Sequence, residues 1–165
     1  MHKPHQEAAH EHAHEQALAL AQASGYAMFA RDSATRALGM QLAEMGPGYA
    51  RMTMAVRPDM LNGHQTCHGG IIFALADSAF AFACNSRNQN TVGAGCTIDY
   101  LAPGRLGDVL TAEAVEQALA GKSGIYDVKV SNQDGRTIAL FRGKSHRIGG
   151  EMLPAQADGL APPPM

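Results

Sequence analysis

One carboxylate stands in an apolar segment where a charge is not expected. Asp77 is the only charged residue between His68 and Arg87, and most of its neighbours along the chain are alanine, leucine and phenylalanine. Burying an unpaired carboxylate costs folding free energy, so its presence requires a reason. A structural reason would be that Asp77 caps a neighbouring element or pairs with a basic residue. We predict instead a buried acid with a perturbed pKa at a catalytic site, where such groups are often retained.

Two glycines follow a histidine at the predicted start of the same helix, in the order His68-Gly69-Gly70. The first N–H groups of a helix have no acceptor within it and point outward at the positive end of the helix dipole. Glycine lets a ligand atom approach the backbone closely. Such amides suit the oxyanion that develops on a carbonyl under attack. Taken alone, the Gly-Gly pair fits a simple chain turn equally well.

The spacing of these two features predicts that one chain does not form the whole site. Gly69 and Asp77 are eight residues apart, which is about 12 Å along a helix axis. An oxyanion donor and an attacking group must both lie within about 3–3.5 Å of the same carbonyl group. We therefore expect Gly69 of one chain to work with Asp77 of another, and a two-fold dimer to hold two such sites.

Composition and charge exclude several classes of protein. The chain has 165 residues, of which 45% are apolar and 17% charged, which is typical of one globular domain. A net charge of -2 does not favour nucleic acid or an anionic membrane as a partner. Three cysteines without paired spacing predict reduced thiols. The N-terminus lacks the apolar core of a signal peptide, and the apolar run 69–84 is too short for a bilayer, so we expect a cytoplasmic protein.

The residue patterns divide the chain into three segments. Residues 1–24 are predicted to be a His-rich tail that is partly helical, 25–150 a single domain, and 151–165 a Pro-rich disordered tail. In the domain we expect a short helix and then a strand, a long buried helix and four more strands; their ranges are 26–38, 50–56, 69–87, 91–101, 109–119, 126–131 and 136–147. This order predicts an α+β fold with the helix on an antiparallel sheet.

Several of these segments resemble the hotdog-fold acyl-CoA thioesterases. The run Asn62-Gly63-His64-Gln65-Thr66-Cys67-His68-Gly69-Gly70 and the later Leu75-Ala76-Asp77 carry the resemblance. More narrowly, the chain is similar to the phenylacetic-acid-degradation (PaaI) family, also through residues 96–101 and 140–150. The resemblance covers about residues 25–150. It implies a curved antiparallel sheet wrapped round a long central helix, in chains that pair and then form a dimer of dimers.

The resemblance also implies roles for single residues. Asp77 matches the family's catalytic carboxylate, which acts as general base or nucleophile, and Gly69 matches the amide that polarises the thioester carbonyl. Asn62 and His68 match positions that line the reaction centre, where Asn62 is expected to orient water, and Gly70 is expected to contact substrate. The implied substrates are phenylacetyl-CoA and its ring-hydroxylated relatives, hydrolysed without a metal or organic cofactor to recover CoA from stalled intermediates.

The phosphates of CoA require cations, and the resemblance offers four candidates. They are Arg105, Arg142, Lys144 and Arg147, each of which also fits an ordinary solvated charge at a strand end. Phe80 and Phe82 either line an aryl pocket or belong to the core. One feature departs from the family: some related thioesterases carry a hydroxyl residue on the strand after the helix, whereas residues 93–96 have none before Thr97.

Two other catalytic centres fit a part of the sequence. His64, Cys67 and His68, with Asp77 as a fourth ligand, would suit a metal hydrolase. However, the Asn62-Gly63 turn argues against the helical spacing that such a site needs, and Asp77 lies too far along the chain. Cys67 with His68 would suit a cysteine nucleophile, but no third group orients the pair.

Three alternatives stay within the acyl-CoA-binding fold: a non-catalytic acyl-CoA-binding module, a thioesterase for other medium-chain or aryl acyl-CoAs, and a dehydratase. A dehydratase needs an Asp/His pair in a different motif, which the sequence lacks. Separately, the five histidines within residues 1–16 suggest metal storage or sensing, although a solvated, weakly chelating tail explains them as well.

Overall fold

The computed structural model describes the backbone of residues 4–153 and the side chains of residues 8–153. Two helices and two strands lead to a 3-10 turn at Pro58–Met60, which is followed by a long helix and four strands. The elements are α1 (Pro4–Arg31), α2 (Ser33–Ala37), β1 (Gln41–Gly46), β2 (Tyr49–Ala55), α3 (Gly69–Cys84), β3 (Thr91–Tyr100), β4 (Val109–Ala120), β5 (Ser123–Ser131) and β6 (Thr137–Arg147).

All six strands belong to one sheet in the order β1-β2-β4-β5-β6-β3, and every neighbouring pair is antiparallel. β1 and β3 are therefore the two edges. The helix α3 contacts every strand of the sheet, so it lies across the whole sheet rather than at one end. The predicted α+β fold, an antiparallel sheet with one central helix, is confirmed.

Alternation along the strands explains which face of the sheet meets α3. In β2 and the residue after it, Ala50, Met52, Met54 and Val56 are all buried, as their period of two predicts. The same holds for Tyr126, Val128 and Val130 in β5. Burying these residues removes apolar surface from water, which is the main force that holds the layers together.

α3 is buried on one side rather than all round. Ile72, Leu75, Ala76, Ala79 and Phe80 recur at helical spacing and face the sheet. Phe80 packs edge-on against Tyr126, with ring centroids 5.6 Å apart, and lies 5.8 Å from Phe141. Phe82 is also fully buried, beside Phe29 of α1. The prediction of a long buried helix therefore holds for the face that the sheet covers but not for the face that carries Asp77.

The N-terminal region differs from its prediction. α1 is one continuous helix that crosses the predicted boundary at residues 24 and 25, and α2 is a separate turn of five residues, so the short helix predicted at 26–38 is wrong. α1 packs on β1, and Ser24 of α1 donates a hydrogen bond to the Asn85 carbonyl at 2.8 Å. Residues 1–3 and 154–165 lie outside the described residues, so the predictions for both tails stay untested there.

β1 was not predicted at all. Its exposed residues Gln41, Ala43 and Glu44 break the apolar alternation, and a shift in its pairing with β2 falls between Leu42 and Glu44. The strand therefore gives no clear period-two signal.

A substitution at Gly143 tests the packing of α3 on the sheet. A Cβ at this position would lie 2.7 Å from Cε2 of Phe80, whose ring is held between Tyr126 and Phe141. We expect Gly143→Ala to lower the free energy of unfolding by about 1–3 kcal/mol, the usual cost of overpacking a core. Urea unfolding followed by circular dichroism measures this change.

Gly63→Ala is the matched control, because a Cβ there meets nothing within 4 Å. It should change the unfolding midpoint little. Equal midpoints for the two variants would contradict close packing between Phe80 and β6.

Candidate active site

α3 begins with a histidine cap. His68 is the N-cap residue, and its Nδ1 accepts a hydrogen bond from the Gly70 N–H at 2.9 Å. The His68 carbonyl accepts from the N–H groups of Ile71 and Ile72. Because Nδ1 is the acceptor, a neutral His68 ring carries its proton on Nε2. Two residues predicted to act on substrate, His68 and Gly70, are therefore bonded to each other, and the Gly70 amide is occupied while this cap holds.

The N–H of Gly69 is different from its neighbours. The His68 N–H donates to the Met60 carbonyl at 2.8 Å, and the Gly70 and Ile71 amides are satisfied by His68. Within the described part of the chain, the Gly69 N–H has no acceptor. A single free amide thus remains at the positive end of α3, where a carbonyl oxygen or an oxyanion is stabilised.

Tyr100, at the end of β3, holds the same residue from the other side. Its hydroxyl donates to the Gly69 carbonyl at 2.8 Å, and a Cβ on Gly69 would lie 3.3 Å from the Tyr100 ring. Partial burial raises the pKa of Tyr100, which keeps the hydroxyl protonated as a donor. The absence of a side chain at Gly69 therefore leaves room for the tyrosine ring beside the free amide.

A cleft of about 390 Å³ opens at this point. It brings together two of the predicted catalytic residues, Asn62 and Gly69, with the aromatic ring of Tyr100. Its other lining residues are Thr66, Cys67, Ile72, Leu101, Ala102 and Pro103. The lining combines polar and apolar surface in similar amounts, so the cleft offers contacts both to a carbonyl group and to a small organic group.

Asn62 shapes the loop before α3. Its Oδ1 accepts hydrogen bonds from the backbone N–H groups of His64, at 2.9 Å, and Thr66, at 3.2 Å. The Asn62 N–H donates to the Thr66 carbonyl at 2.8 Å, which closes the turn. Among the described residues the side-chain NH₂ group of Asn62 has no acceptor, so it is available to a water or substrate in the cleft.

Asp77 lies on the opposite side of α3 from the core. Its side chain is exposed in the single chain, so the prediction of a buried carboxylate is wrong for one chain, because the sheet covers the other face of α3. Within residues 8–153 no cation and no hydrogen-bond donor contacts the carboxylate, and it caps no neighbouring element. Nothing in this region supports the structural explanation for Asp77.

The surroundings of Asp77 still disfavour its charge. Neighbouring protein atoms exclude part of the water around the carboxylate, and this desolvation raises the pKa of Asp77 above the usual range of an aspartate. No cation offsets that effect. A carboxylate that is accessible, unpaired and harder to ionise is suited to accept a proton or to attack an electrophile.

Asp77 does not line the cleft at Gly69. The two residues lie on one continuous helix, so the separation of about 12 Å along its axis holds in the structure. β3, which forms one wall of the cleft through Tyr100, is an edge strand whose residues from Val92 to Thr97 are all exposed. Both the exposed side of α3 and the edge at β3 are open in one chain.

The four predicted phosphate-binding cations do not converge in one chain. Arg142 is held by Asp127 through two hydrogen bonds of 2.6 and 2.7 Å on the sheet face opposite α3. Lys144 is exposed on that same face, and Arg147 donates to Gln89 at the far end of β6. Arg105 lies exposed in the loop that follows the cleft residue Pro103. In one chain, Arg105 is therefore the candidate nearest in sequence to the cleft.

Comparisons with known proteins agree with this geometry. The sequence model of the Thioesterase superfamily matches residues 64–139, which include the cap, α3 and most of the sheet. The acyl-coenzyme A thioesterase PaaI of Escherichia coli is 51% identical over 127 residues, covering 77% of this chain and 91% of that protein. The chain belongs to the PaaI family of acyl-CoA thioesterases.

Solved structures place the fold in the same family. The E. coli PaaI protein from the phenylacetic acid degradation operon superposes with a TM-score of 0.80 at 49% identity, covering 81% of this chain and 97% of that one. A Streptococcus pneumoniae thioesterase, solved with coenzyme A, has a TM-score of 0.66 at 27% identity and covers 68% and 90%. The predicted resemblance and the hotdog fold are both confirmed.

The alternative centres receive no support from the geometry. Burial, with a smaller contribution from Asp108, raises the pKa of the Cys67 thiol to about 11, so that it is protonated rather than nucleophilic at neutral pH. His64 is exposed in the turn while His68 caps α3. Residues 8–153 contain no group of three or more His, Cys, Asp or Glu side chains placed to hold a metal ion.

Two further findings bear on the predictions. Among the described helices, none combines the length and the apolar character that crossing a bilayer requires. Thr97, the first hydroxyl residue after residues 93–96, lines a depression on the sheet face opposite α3 together with Arg142, so its side chain lies away from the helix.

Sequence reasoning did not single out Tyr100 within the matching segment. The sequence signal for Tyr100 was its alternation with Asp99, which places the two side chains on opposite faces of β3. A tyrosine on the face of an edge strand that meets the helix can reach the start of α3. The ring and hydroxyl together position the carbonyl and restrict the side chain at Gly69.

The free amide can be removed without changing its surroundings greatly. Gly69 is the first residue of α3, where proline fits well, and His68 has φ -58 and ψ 133, which a following proline favours. We expect Gly69→Pro to lower kcat for thioester hydrolysis by about 10²–10³, the usual loss of one oxyanion donor. Steady-state assay of thiol release measures it.

Gly69→Ala is the matched control. It introduces the same Cβ against the Tyr100 ring but keeps the N–H, so any loss that it causes reports crowding alone. If proline and alanine at this position lowered kcat equally, the Gly69 amide would not be the oxyanion donor.

Proposed function

We propose that this protein hydrolyses phenylacetyl-CoA and ring-hydroxylated phenylacetyl-CoAs to the free acid and CoA, in a site shared by two chains of a homo-oligomer. The observation that carries the proposal is the pair formed by the free Gly69 amide and the unpaired Asp77 on separate faces of one helix. The name of the E. coli relative supplies the reaction class, and its operon supplies the substrate class.

The reaction follows from these two groups. The thioester carbonyl oxygen accepts a hydrogen bond from the Gly69 N–H of one chain, which polarises the carbonyl carbon. Asp77 of the other chain either takes a proton from a water that attacks this carbon or attacks it directly. In the first case the tetrahedral intermediate expels the CoA thiolate and leaves the free acid. In the second, the Asp77 carboxylate displaces the CoA thiolate to form an acyl-aspartyl anhydride, and water then hydrolyses the anhydride to the free acid and the Asp77 carboxylate.

The remaining site residues have supporting roles in this scheme. The free NH₂ group of Asn62 holds the attacking water or the acyl group in the cleft. His68 acts through its cap, because it occupies the Gly70 amide and so leaves Gly69 as the free donor. Tyr100 holds the Gly69 carbonyl, next to the peptide that carries the free amide, and offers an aromatic wall to an aryl group.

Assembly supports the same proposal. β3 offers unpaired backbone groups along an exposed edge, and a second copy of the chain would cover both that edge and the exposed side of α3. Two-fold pairing then brings Asp77 of each chain towards Gly69 of the other. We propose that two such pairs form the dimer of dimers.

The proposal includes a cellular role and a way to hold CoA. Hydrolysis in the cytoplasm would recover CoA from aryl-acyl thioesters that no longer proceed. Arg105 is our first candidate for the phosphates, since Arg142 would have to leave Asp127 to bind them. Lys144 and Arg147 contribute only if the second chain brings their end of the sheet near a cleft.

The role of Asp77 is tested by Asp77→Asn. This change keeps the size of the side chain but removes its charge and basicity, and the loss of a general base lowers kcat by about 10²–10⁴. In the unmodified protein, kcat/KM should rise with pH through a midpoint above the usual pKa of an aspartate, because desolvation raises the pKa of Asp77. Thiol release from phenylacetyl-CoA, measured from pH 4 to 8, gives both results.

Stability provides the control for this variant. Removing a partly desolvated charge should leave the thermal midpoint at pH 7 unchanged or higher. Activity equal to that of the unmodified protein would make Asp77 structural. Binding of phenylacetyl-CoA without thiol release by the unmodified protein would favour the non-catalytic module, and preference for aliphatic thioesters would favour the wider acyl-CoA range.

Mixing two inactive variants tests whether the site is shared. If Gly69 and Asp77 act across a two-fold interface, co-expressed Gly69→Pro and Asp77→Asn chains should form mixed pairs with one intact site. Random pairing of equal amounts makes half of the pairs mixed, so activity should return to about a quarter of the unmodified level. Giving the two chains different tags and purifying through both removes assemblies that hold only one variant, and activity should then exceed that quarter.

The same experiment has a clear contrary outcome. If each chain carried a complete site, every site in a mixed pair would hold one defect, and activity would stay at the sum of the two parents. Co-expression of two differently tagged Asp77→Asn chains controls for effects of the tags.

A further inference from the structure

A histidine pair on α1 is not used by the proposed thioesterase site. His10 and His14 are one helical turn apart, with Glu11 between them, in the spacing His-Glu-x-x-His. At about 100° per residue their Cα atoms lie about 40° apart around the axis, so both imidazoles project from one face. Residues at this spacing have Cβ atoms about 5–6 Å apart, which allows two side chains to bind one ion.

His12, in the same tract, lies on the other side of the helix. It is about 200° around the axis from His10 and from His14. Its Nε2 also lies 2.9 Å from the side-chain nitrogen of Gln16. Within residues 8–153, neither His10 nor His14 has such a partner. The structure thus separates two histidines on one face from one that is engaged on the other.

The helix that carries the pair is held in place at its other end. Ala21, Ser24 and Gly25 are buried, Ser24 bonds to the Asn85 carbonyl, and Phe29 lies against Phe82. In contrast, residues 8–16 are all exposed. The buried half fixes the position and direction of α1. The exposed turns continue the helix because their alanine-rich sequence favours helical conformation. The helical backbone therefore places His10 and His14 on one face before any ligand binds.

We propose that His10 and His14 form a two-imidazole site for a late first-row divalent metal ion, with Zn²⁺ as the test ion. Imidazole is a preferred ligand of zinc, copper and nickel. Since the described residues offer no cluster of three ligands, water completes the coordination. His-Glu-x-x-His helices also occur in zinc hydrolases, but His10, Glu11 and His14 are all exposed, and residues 8–153 form no enclosure for a substrate around them. The site therefore binds the ion and stabilises the projecting turns of α1.

The experiment is a titration of the full chain with ZnCl₂ by isothermal calorimetry, using three single variants: His10→Gln, His14→Gln and His12→Gln. Loss of an indirect partner of a metal ligand commonly weakens binding by 10–100-fold, so loss of a direct ligand should weaken it by at least about tenfold. We expect that loss for His10→Gln and His14→Gln, with one ion per chain, and no loss for His12→Gln. The histidines at positions 2 and 5 are present in all four proteins and give a constant background.

Hydrogen exchange provides a second measurement. Both ligands meet one ion only in the helical conformation, so Zn²⁺ should slow amide exchange in residues 8–18 of the unmodified chain and of His12→Gln. It should not do so in His10→Gln. An equal loss of affinity in all three variants would overturn the proposal, because it would mean that the histidines of the tract bind Zn²⁺ without a defined pair of ligands. The absence of binding would also overturn it, and so would a stoichiometry of half an ion per chain. Thioester hydrolysis should be the same in all four proteins.

Discussion

The imidazole of His68 accepts the Gly70 N–H, and the His68 carbonyl accepts from Ile71, so two of the four orphan donors at the start of α3 are satisfied by one residue. A third, the His68 amide, donates to the loop before the helix. The remaining donor is the Gly69 N–H. The carbonyl of the same residue accepts a hydrogen bond from the Tyr100 hydroxyl. The direction of the free amide is therefore set by the helix cap, because this N–H lies in the same peptide as the His68 carbonyl, which accepts from Ile71 and Ile72. The Tyr100 hydroxyl holds the next peptide.

The same helix also forms part of the hydrophobic core. Leu75, Ala79 and Phe80 on its buried face pack against the sheet, and the missing side chain at Gly143 leaves the space that the Phe80 ring fills. This arrangement places Asp77 on the outer face, away from the Gly69 cleft. A rigid helix prevents these two groups from meeting in one chain. The proposed assembly through the exposed β3 edge would therefore follow from how α3 packs and would not be an independent addition to the fold.

The predictable parts of this structure are those with a strong local period or an unusual residue. Alternation identified β2 and β5 and their buried faces, and the isolated charge identified Asp77. β1 was not predicted, because its bulge and polar residues remove the apolar alternation. The full length of α1 was not predicted, because its exposed half is polar and contains little apolar periodicity. The cap at His68 and the contact of Tyr100 with Gly69 were not predicted. Both depend on how side chains of one element are oriented towards another, which the spacing along a single element does not determine.

The partial desolvation of Asp77 makes its contribution to stability depend on pH in a definite sense. Desolvation raises the pKa of Asp77 in the folded chain above its unfolded value, so the folded state holds the proton more tightly. Below the unfolded pKa this group has no effect on stability. As pH rises from the unfolded to the folded pKa, stability falls, and above that range the loss is constant. In the proposed shared site a second chain would exclude more water and widen this range. The ionised carboxylate therefore destabilises the fold in the pH range where the proposed hydrolysis would use it. A cation or a hydrogen-bond donor beside Asp77 would restore stability but would lower the basicity that the proposed role requires, and the described residues place neither there.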